Sequence, residues 1–123
     1  MLARHKLMAF VATSDGERAR AFYEGLLGLT VTSDDAFALA VDANGTLLRI
    51  QKVGRFEPHP FTTLGWEVKD IDNVVASLGQ RGVTFERFPG MDQDECGIWS
   101  APSGARVAWF KDPDGNTLSI TQL

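Results

Sequence analysis

The sequence predicts an α+β fold made of two tandem β-α-β-β-β modules, and two internal repeats predict it. The first repeat is a hairpin. Trp109–Leu123, WFKDPDGNTLSITQL, reads as strand, tight turn and closing strand, because Asp-Pro and Asp-Gly supply turn geometry between runs that alternate in β-favouring residues. Val41–Gln51, VDANGTLLRIQ, repeats it: Asp42 matches Asp112, Asn44 matches Asp114, Gly45 matches Gly115, and Leu48 and Ile50 match Leu118 and Ile120. In the second repeat, Lys6–Leu29 and Thr63–Val83 each run strand, cap, amphipathic helix and glycine.

The elements follow in order. His5–Ala12 is a strand with Leu7, Ala9 and Val11 on one face and Lys6, Met8 and Phe10 on the other. Ser14 and Glu17 form an S-x-x-E capping box, and the helix after it aligns Ala19, Phe22, Tyr23, Leu26 and Leu27 before Gly28 stops it. Leu29–Ser33, Ala36–Val41 and Thr46–Lys52 are strands. The aperiodic VGRFEPHPF, with its two prolines, is the connector. Module one is therefore 1–53, the connector 54–61 and module two 62–123. In module two Thr62–Val68 is a strand, Asp70 caps a helix carrying Ile71, Val74, Val75 and Leu78 on one side, and Gly82 ends it. Val83–Phe88 is a further element, Pro89–Glu95 an acidic loop, and Cys96–Ser100 pairs with Ala105–Phe110 around Pro102-Ser103-Gly104.

Composition excludes several classes. The chain has 123 residues, enough for one domain, and its 44% hydrophobic content is ordinary for a globular protein. Twelve Lys and Arg against sixteen Asp and Glu give a net charge of −4, so no basic face for nucleic acid is expected. A single cysteine, Cys96, rules out an internal disulfide framework and a cysteine-cluster zinc site; after Asp94-Glu95 it reads as a small packed side chain rather than a nucleophile. No apolar run approaches the roughly 20 residues that span a bilayer, and no signal peptide is read at the start, so a cytoplasmic location is expected.

The order of elements, with ATSDGERARAFYEGLLGL, WEVKDIDNVVASLGQRGV and KDPDGNTLSI in sequence, resembles the vicinal oxygen chelate superfamily of glyoxalase I, extradiol dioxygenases and bleomycin-resistance proteins. The resemblance covers nearly the whole chain. It implies that each module curls a four-stranded sheet, that the paired sheets form a cup for a small organic ligand with the helices outside, and that the protein is a homodimer. It also implies where a metal would be held: on the cup face of the first and last strand of each module. Those positions carry Met8, Arg49, Thr63 and Ser119 here, and none is the usual His, Glu or Gln. A divalent ion wants imidazole nitrogens or carboxylate oxygens, and Arg49 brings a positive charge instead. No metal and no other cofactor is expected.

Strand alternation supports the same faces. If Leu7, Ala9, Val11, Leu48, Ile50, Leu64, Trp66, Val68, Leu118 and Ile120 face the helices, then Met8, Phe10, Leu47, Arg49, Gln51, Thr63, Gly65, Glu67, Thr117, Ser119 and Thr121 face the ligand. That set is mixed apolar and polar, as in a binding pocket. Two readings of its charges stay open: Arg49 and Glu67 neutralise each other or reach solvent, or Arg49 grips a carboxylate or phosphate while Glu67 orients a polar group or acts as a base. Trp99 and Trp109 either stack on a ligand or pack. His5 and His59 read as surface or structural residues. The expected function is metal-independent binding of a small organic molecule. The alternative is a lyase or dioxygenase-like enzyme with non-standard metal ligands or metal-free chemistry through Glu67.

Overall fold

The computed structural model describes all of residues 1–123 and divides into two compact units, Met1–Pro58 and His59–Leu123. In the first unit, β1 (Met8–Thr13), β2 (Thr30–Asp34), β3 (Ala38–Ala43) and β4 (Thr46–Lys52) form a sheet in the order β1-β4-β3-β2. In the second, β5 (Thr62–Glu67), β6 (Trp99–Ser100), β7 (Arg106–Lys111) and β8 (Thr117–Gln122) form a sheet in the order β5-β8-β7-β6. The orders are the same, and in both the first strand runs parallel to the last while the other pairs are antiparallel. The fold is thus written twice, as the hairpin repeat predicts.

Both predicted hairpins form. Asn44 and Gly45 have φ of 52° and 94°, the left-handed pair that a two-residue turn between twisted strands requires, and the Asp42 carboxylate accepts the Gly45 N–H at 2.8 Å. In the longer second turn the buried Asp112 accepts the N–H groups of Asp114 and Asn116 at 3.0 and 2.9 Å and the Asn116 side-chain amide at 2.8 Å. One carboxylate therefore satisfies three donors that the turn would otherwise leave without partners.

In the first helix, the predicted Ser14 cap is displaced by one residue. Asp15 is the N-cap and accepts the Arg18 N–H at 3.2 Å, while its own N–H is held by the Thr13 hydroxyl at 3.1 Å. Asp caps as well as Ser, and Thr13 fixes the residue in place. α1 (Gly16–Arg20) then opens into a π-helical turn, Ala21–Leu26, with Leu27 N–H bonded to the Phe22 carbonyl five residues back at 2.9 Å. The wider turn rotates the predicted stripe, so Ala19 and Tyr23 are buried while Phe22, Leu26 and Leu27 are half-buried. Gly28, at φ 77°, ends the segment as expected.

In the second unit, α2 (Ile71–Gln80) is capped by Asp70, which accepts the Asn73 N–H at 3.2 Å. Val83–Phe88 is not a strand. Its backbone meets β7 through the Phe85–Phe110 bridge and a Glu86 N–H to Trp109 carbonyl bond of 2.8 Å, without forming a ladder, and β6 occupies the other end of the same edge. Cys96–Ser100 is likewise shortened to Trp99–Ser100, because Asp94 accepts the Cys96 and Ile98 N–H groups, both at 2.9 Å, and folds 94–98 into a turn. That turn leaves Cys96 exposed, contrary to the packed side chain expected, and buries Ile98. Gln93 ties the loop together, donating to the Glu86 and Gly97 carbonyls and accepting the Phe88 N–H. No helix is long and apolar enough to cross a membrane.

An ion cluster joins α1, β2 and β4. Arg20 meets Glu24 at 3.0 Å and Asp34 at 3.1 Å, and Lys52 meets the other oxygen of Asp34 at 2.5 Å. The Lys52 ammonium, aided by Arg20, holds the Asp34 carboxyl below its ordinary value of 3.8. A depressed carboxylate stabilises the fold above its unfolded pKa and loses that contribution as pH falls through the folded one. Thermal melts of Asp34→Asn are therefore expected to show a smaller loss of Tm than the wild type as pH drops below 3.8; equal acid sensitivity would remove Asp34 from the account. Gly115 adopts φ 91° in the closing turn. Gly115→Val is expected to destabilise the chain by about 1–3 kcal/mol in chemical denaturation, because a β-branched residue is strained there.

Candidate functional site

Strand parity decides which side chains a ligand can meet. In the first unit Leu39, Val41, Leu48 and Ile50 are at most 1% exposed and form the packed face. On the other face β1 and β4 set Met8 beside Leu47, Phe10 beside Arg49 and Ala12 beside Gln51, with Ala40 opposite Arg49 from β3. Met8, Phe10 and Leu47 are 44%, 50% and 36% exposed, so this apolar face is open. Of the predicted site residues, Met8, Phe10, Arg49 and Gln51 are thus gathered on it. On β3 two small residues share this face, Ala40 paired with Arg49 and Ala38 with Gln51. No carboxylate of the module forms an ion pair with Arg49. Asp35 lies in its field: the Phe37 and Ala38 N–H groups lower that carboxyl first, and Arg49 and Lys52 add to the effect.

In the second unit the helix side is marked by two direct bonds to α2. Gln122 accepts the Ile71 N–H at 2.9 Å, and Arg106 makes a paired bond to Asp72 at 2.7 and 2.8 Å. Ala108, Phe110, Leu118 and Ile120 share that parity and are buried, with Trp66 stacked on Phe110 at 6.5 Å. The opposite face carries Gly65, Glu67, Trp99, Val107, Trp109, Thr117, Ser119 and Thr121, by their pairing in the ladder. The register puts both Trp99 and Trp109 on the face of Ser119 and Glu67. Trp109 is directly opposite Ser119 and 6.2 Å from Trp99, and Phe88 meets it edge-on at 5.4 Å. Its indole N–H donates to the Thr62 hydroxyl at 3.1 Å, which fixes the ring.

Thr63 stands at an irregularity. Thr62 pairs with Thr117 and Leu64 with Leu118, so Thr63 is the extra residue of a bulge, and its hydroxyl is spent on the Thr117 carbonyl at 3.2 Å. Phe88 and Thr62 were not among the predicted site residues. Phe88 joins through an irregular loop and Thr62 through the bulge, and neither leaves a periodic signal in the sequence.

A metal is implied by the fold's relatives, and the donor set does not suit one. Within the first unit the two candidate positions supply a thioether and a guanidinium. Within the second they supply two hydroxyls, one already hydrogen-bonded. None offers the imidazole or carboxylate a divalent ion selects. His59 instead stacks on Phe61 at 4.9 Å. No three His, Cys, Asp or Glu side chains come together in a group suited to a metal.

Gly65 pairs with Ser119, and a Cβ at position 65 would lie 2.4 Å from the Ser119 hydroxyl oxygen and 3.3 Å from its carbonyl. The hydroxyl uses space that only glycine leaves. Gly65→Ala is expected to destabilise by about 1–3 kcal/mol through overpacking, and by less in a Ser119→Ala background. Denaturant melts of the four proteins in this cycle measure the difference, and strict additivity would contradict the contact.

Comparison with known proteins agrees with this geometry. The model of the Glyoxalase/Bleomycin resistance protein/Dioxygenase superfamily matches residues 5–120. Among solved structures, a glyoxalase family protein from Enterococcus faecalis superposes with a TM-score of 0.76 at 21% identity, covering 98% of this chain and 99% of the other. A superfamily member from Sphaerobacter thermophilus gives 0.72 at 25% identity over all of both chains. A lactoylglutathione lyase from Agrobacterium tumefaciens gives 0.74 at 14%, covering 97% and 93%. No curated protein matches. With its duplicated β-α-β-β-β units and a family match spanning almost its whole length, the chain belongs to the Glyoxalase/Bleomycin resistance protein/Dioxygenase superfamily.

Proposed function

We propose that this chain is a metal-independent small-molecule binding protein that takes an organic ligand on the sheet faces turned away from its helices, and that it works as a cytoplasmic homodimer. The observation that carries the reading is the replacement of metal-binding residue types by Met8, Arg49, Thr63 and Ser119 on faces that otherwise suit an organic molecule. The first face supplies Met8, Phe10 and Leu47 as apolar surface and Arg49 as a fork for a carboxylate or phosphate. The second supplies the aromatic group of Phe88, Trp99 and Trp109 with hydroxyls beside it. The exposed apolar side chains Leu7 and Phe37 favour a second copy as partner.

A second reading, metal-free catalysis with Glu67 as base, is favoured by one observation. Glu67 is exposed on the ligand-side face and free of any ion pair, so its carboxylate is available to accept a proton. A lyase or isomerisation step at an acidic C–H is the chemistry such a base would support.

Elemental analysis and native mass spectrometry of the purified protein test the first reading. It predicts no stoichiometric transition metal and a retained organic mass; a full equivalent of Fe, Mn, Ni or Zn would contradict it. Arg49→Ala is expected to weaken binding of benzoate, as a carboxylate probe, by roughly tenfold in calorimetry. Unchanged affinity would take Arg49 out of the site.

A further inference from the structure

A cavity of about 380 Å³ opens at the end of the first unit's ligand-side face, where β1 and β4 begin and β3 ends at the Asn44-Gly45 turn. Met8, Leu47 and Asp42 stand in one row of the ladder, Met8 paired with Leu47 and Leu47 with Asp42, and all three line the cavity together with Lys6 and Thr32. Its volume lies within the range of small-molecule sites, about 300–1,000 Å³. Arg49 sits two residues further along β4, outside this wall.

The wall is polarised. Met8 and Leu47 make an apolar floor. On the β1 side the exposed Lys6 makes no hydrogen bond or ion pair within the protein, so its ammonium is an uncommitted cation and donor. On the β3 and β2 side the uncommitted atoms are acceptors. Asp42 gives one carboxylate oxygen to the Gly45 N–H at 2.8 Å and keeps the other, and the Thr32 hydroxyl donates its proton to the Ala40 carbonyl at 3.1 Å and keeps its lone pairs. A simple anion would face the Asp42 carboxylate, and a simple cation would face the Lys6 ammonium. Only a ligand with both charges meets an opposite charge at each end.

Strand spacing sets how far apart those ends lie. β4 separates β1 from β3, so Met8 and Asp42 are about 10 Å apart across the sheet, and Lys6 lies about 7 Å further along β1. The two charged residues are thus about 12 Å apart at their Cα atoms, with the apolar floor between them.

We infer that this cavity is a subsite for a small zwitterion whose charges sit several carbons apart, an ω-amino acid: its ammonium bonds to Asp42 and Thr32, its carboxylate to Lys6, and its chain lies on Met8 and Leu47. The inference rests on the binding reading above and names a ligand class for the first unit. An α-amino acid carries both charges on one carbon and reaches only one side of the cavity.

The probes are 6-aminohexanoate, hexanoate, hexylamine and 2-aminohexanoate, which share a six-carbon chain and differ in charge and its placement. Amide NMR titrations of the labelled full chain measure their affinities. 6-Aminohexanoate is expected to bind about fivefold more tightly than each of the others, with shifts at Met8, Asp42, Gly45 and Leu47. Lys6→Gln is expected to lower its affinity to that of hexylamine, and Asp42→Asn to that of hexanoate. Asparagine keeps a side-chain oxygen for the Gly45 N–H, and an unchanged melt of Asp42→Asn confirms that the hairpin is intact. Equal binding of hexylamine or hexanoate by the wild type would overturn the inference, and equal binding of 2-aminohexanoate would overturn the separation of charges. Affinity lost in Arg49→Ala but kept in Lys6→Gln would place the carboxylate elsewhere and overturn it too. Failure of all four probes, with benzoate still bound through Arg49, would overturn the inference and leave the binding reading standing.

Discussion

A β-strand sends successive side chains to opposite faces, and every other feature of this protein follows from which parity is packed. Leu48 and Ile50 in the first unit and Leu118 and Ile120 in the second are committed to the helix side, where each is 4% exposed or less. That leaves Arg49 and Gln51, or Thr117 and Ser119, nowhere to go but the other face. A slip of one residue would bury Arg49 and expose Ile50, so the apolar stripe that stabilises each sheet also selects what each sheet presents. The tight turns protect this register. Asn44-Gly45 and the Asp112-centred turn fix the two hairpins that contain β4 and β8, and these strands pair with two neighbours each.

The two sheets have one topology but present different chemistry. The first face is apolar around a single guanidinium, with Met8 and Phe10 open to solvent. The second is aromatic and hydroxylic, with Thr117 and Ser119 sheltered and Glu67 exposed. Duplication of a fold does not duplicate its surface, because only the packed parity is constrained by the core. The other parity is free to differ, and it carries Met8 and Arg49 in the first unit and Trp109 and Ser119 in the second.

Much of this is legible in the sequence for a physical reason. Periodicity is strong where a strand has one packed face, so β4 and β8 and their faces are read correctly, as is β5 from Leu64 onward, and Asp70 and Gly82 mark α2 because caps have few alternatives. Legibility fails where local geometry departs from a repeat. The cap at Asp15 in place of Ser14 and the π turn at Ala21–Leu26 both arise from competition between near-equal local choices. The segments 83–88 and 96–98 carry strand-like residues but are held by side-chain bonds from Gln93 and Asp94, which no periodicity announces. At the site, Arg49, Ser119 and Glu67 fall on the expected face. The bulge at Thr63 and the arrival of Phe88 from a loop leave no periodic trace in the sequence.

The central claim is that the faces turned from the helices are the ones a ligand meets. It is tested most directly by amide NMR of labelled protein titrated with benzoate. Saturable shifts are expected to concentrate at Met8, Phe10, Arg49 and Gln51, with the α1 residues Arg18 and Ala19 unmoved. Saturable shifts centred on α1, with β1 and β4 unaffected, would contradict it.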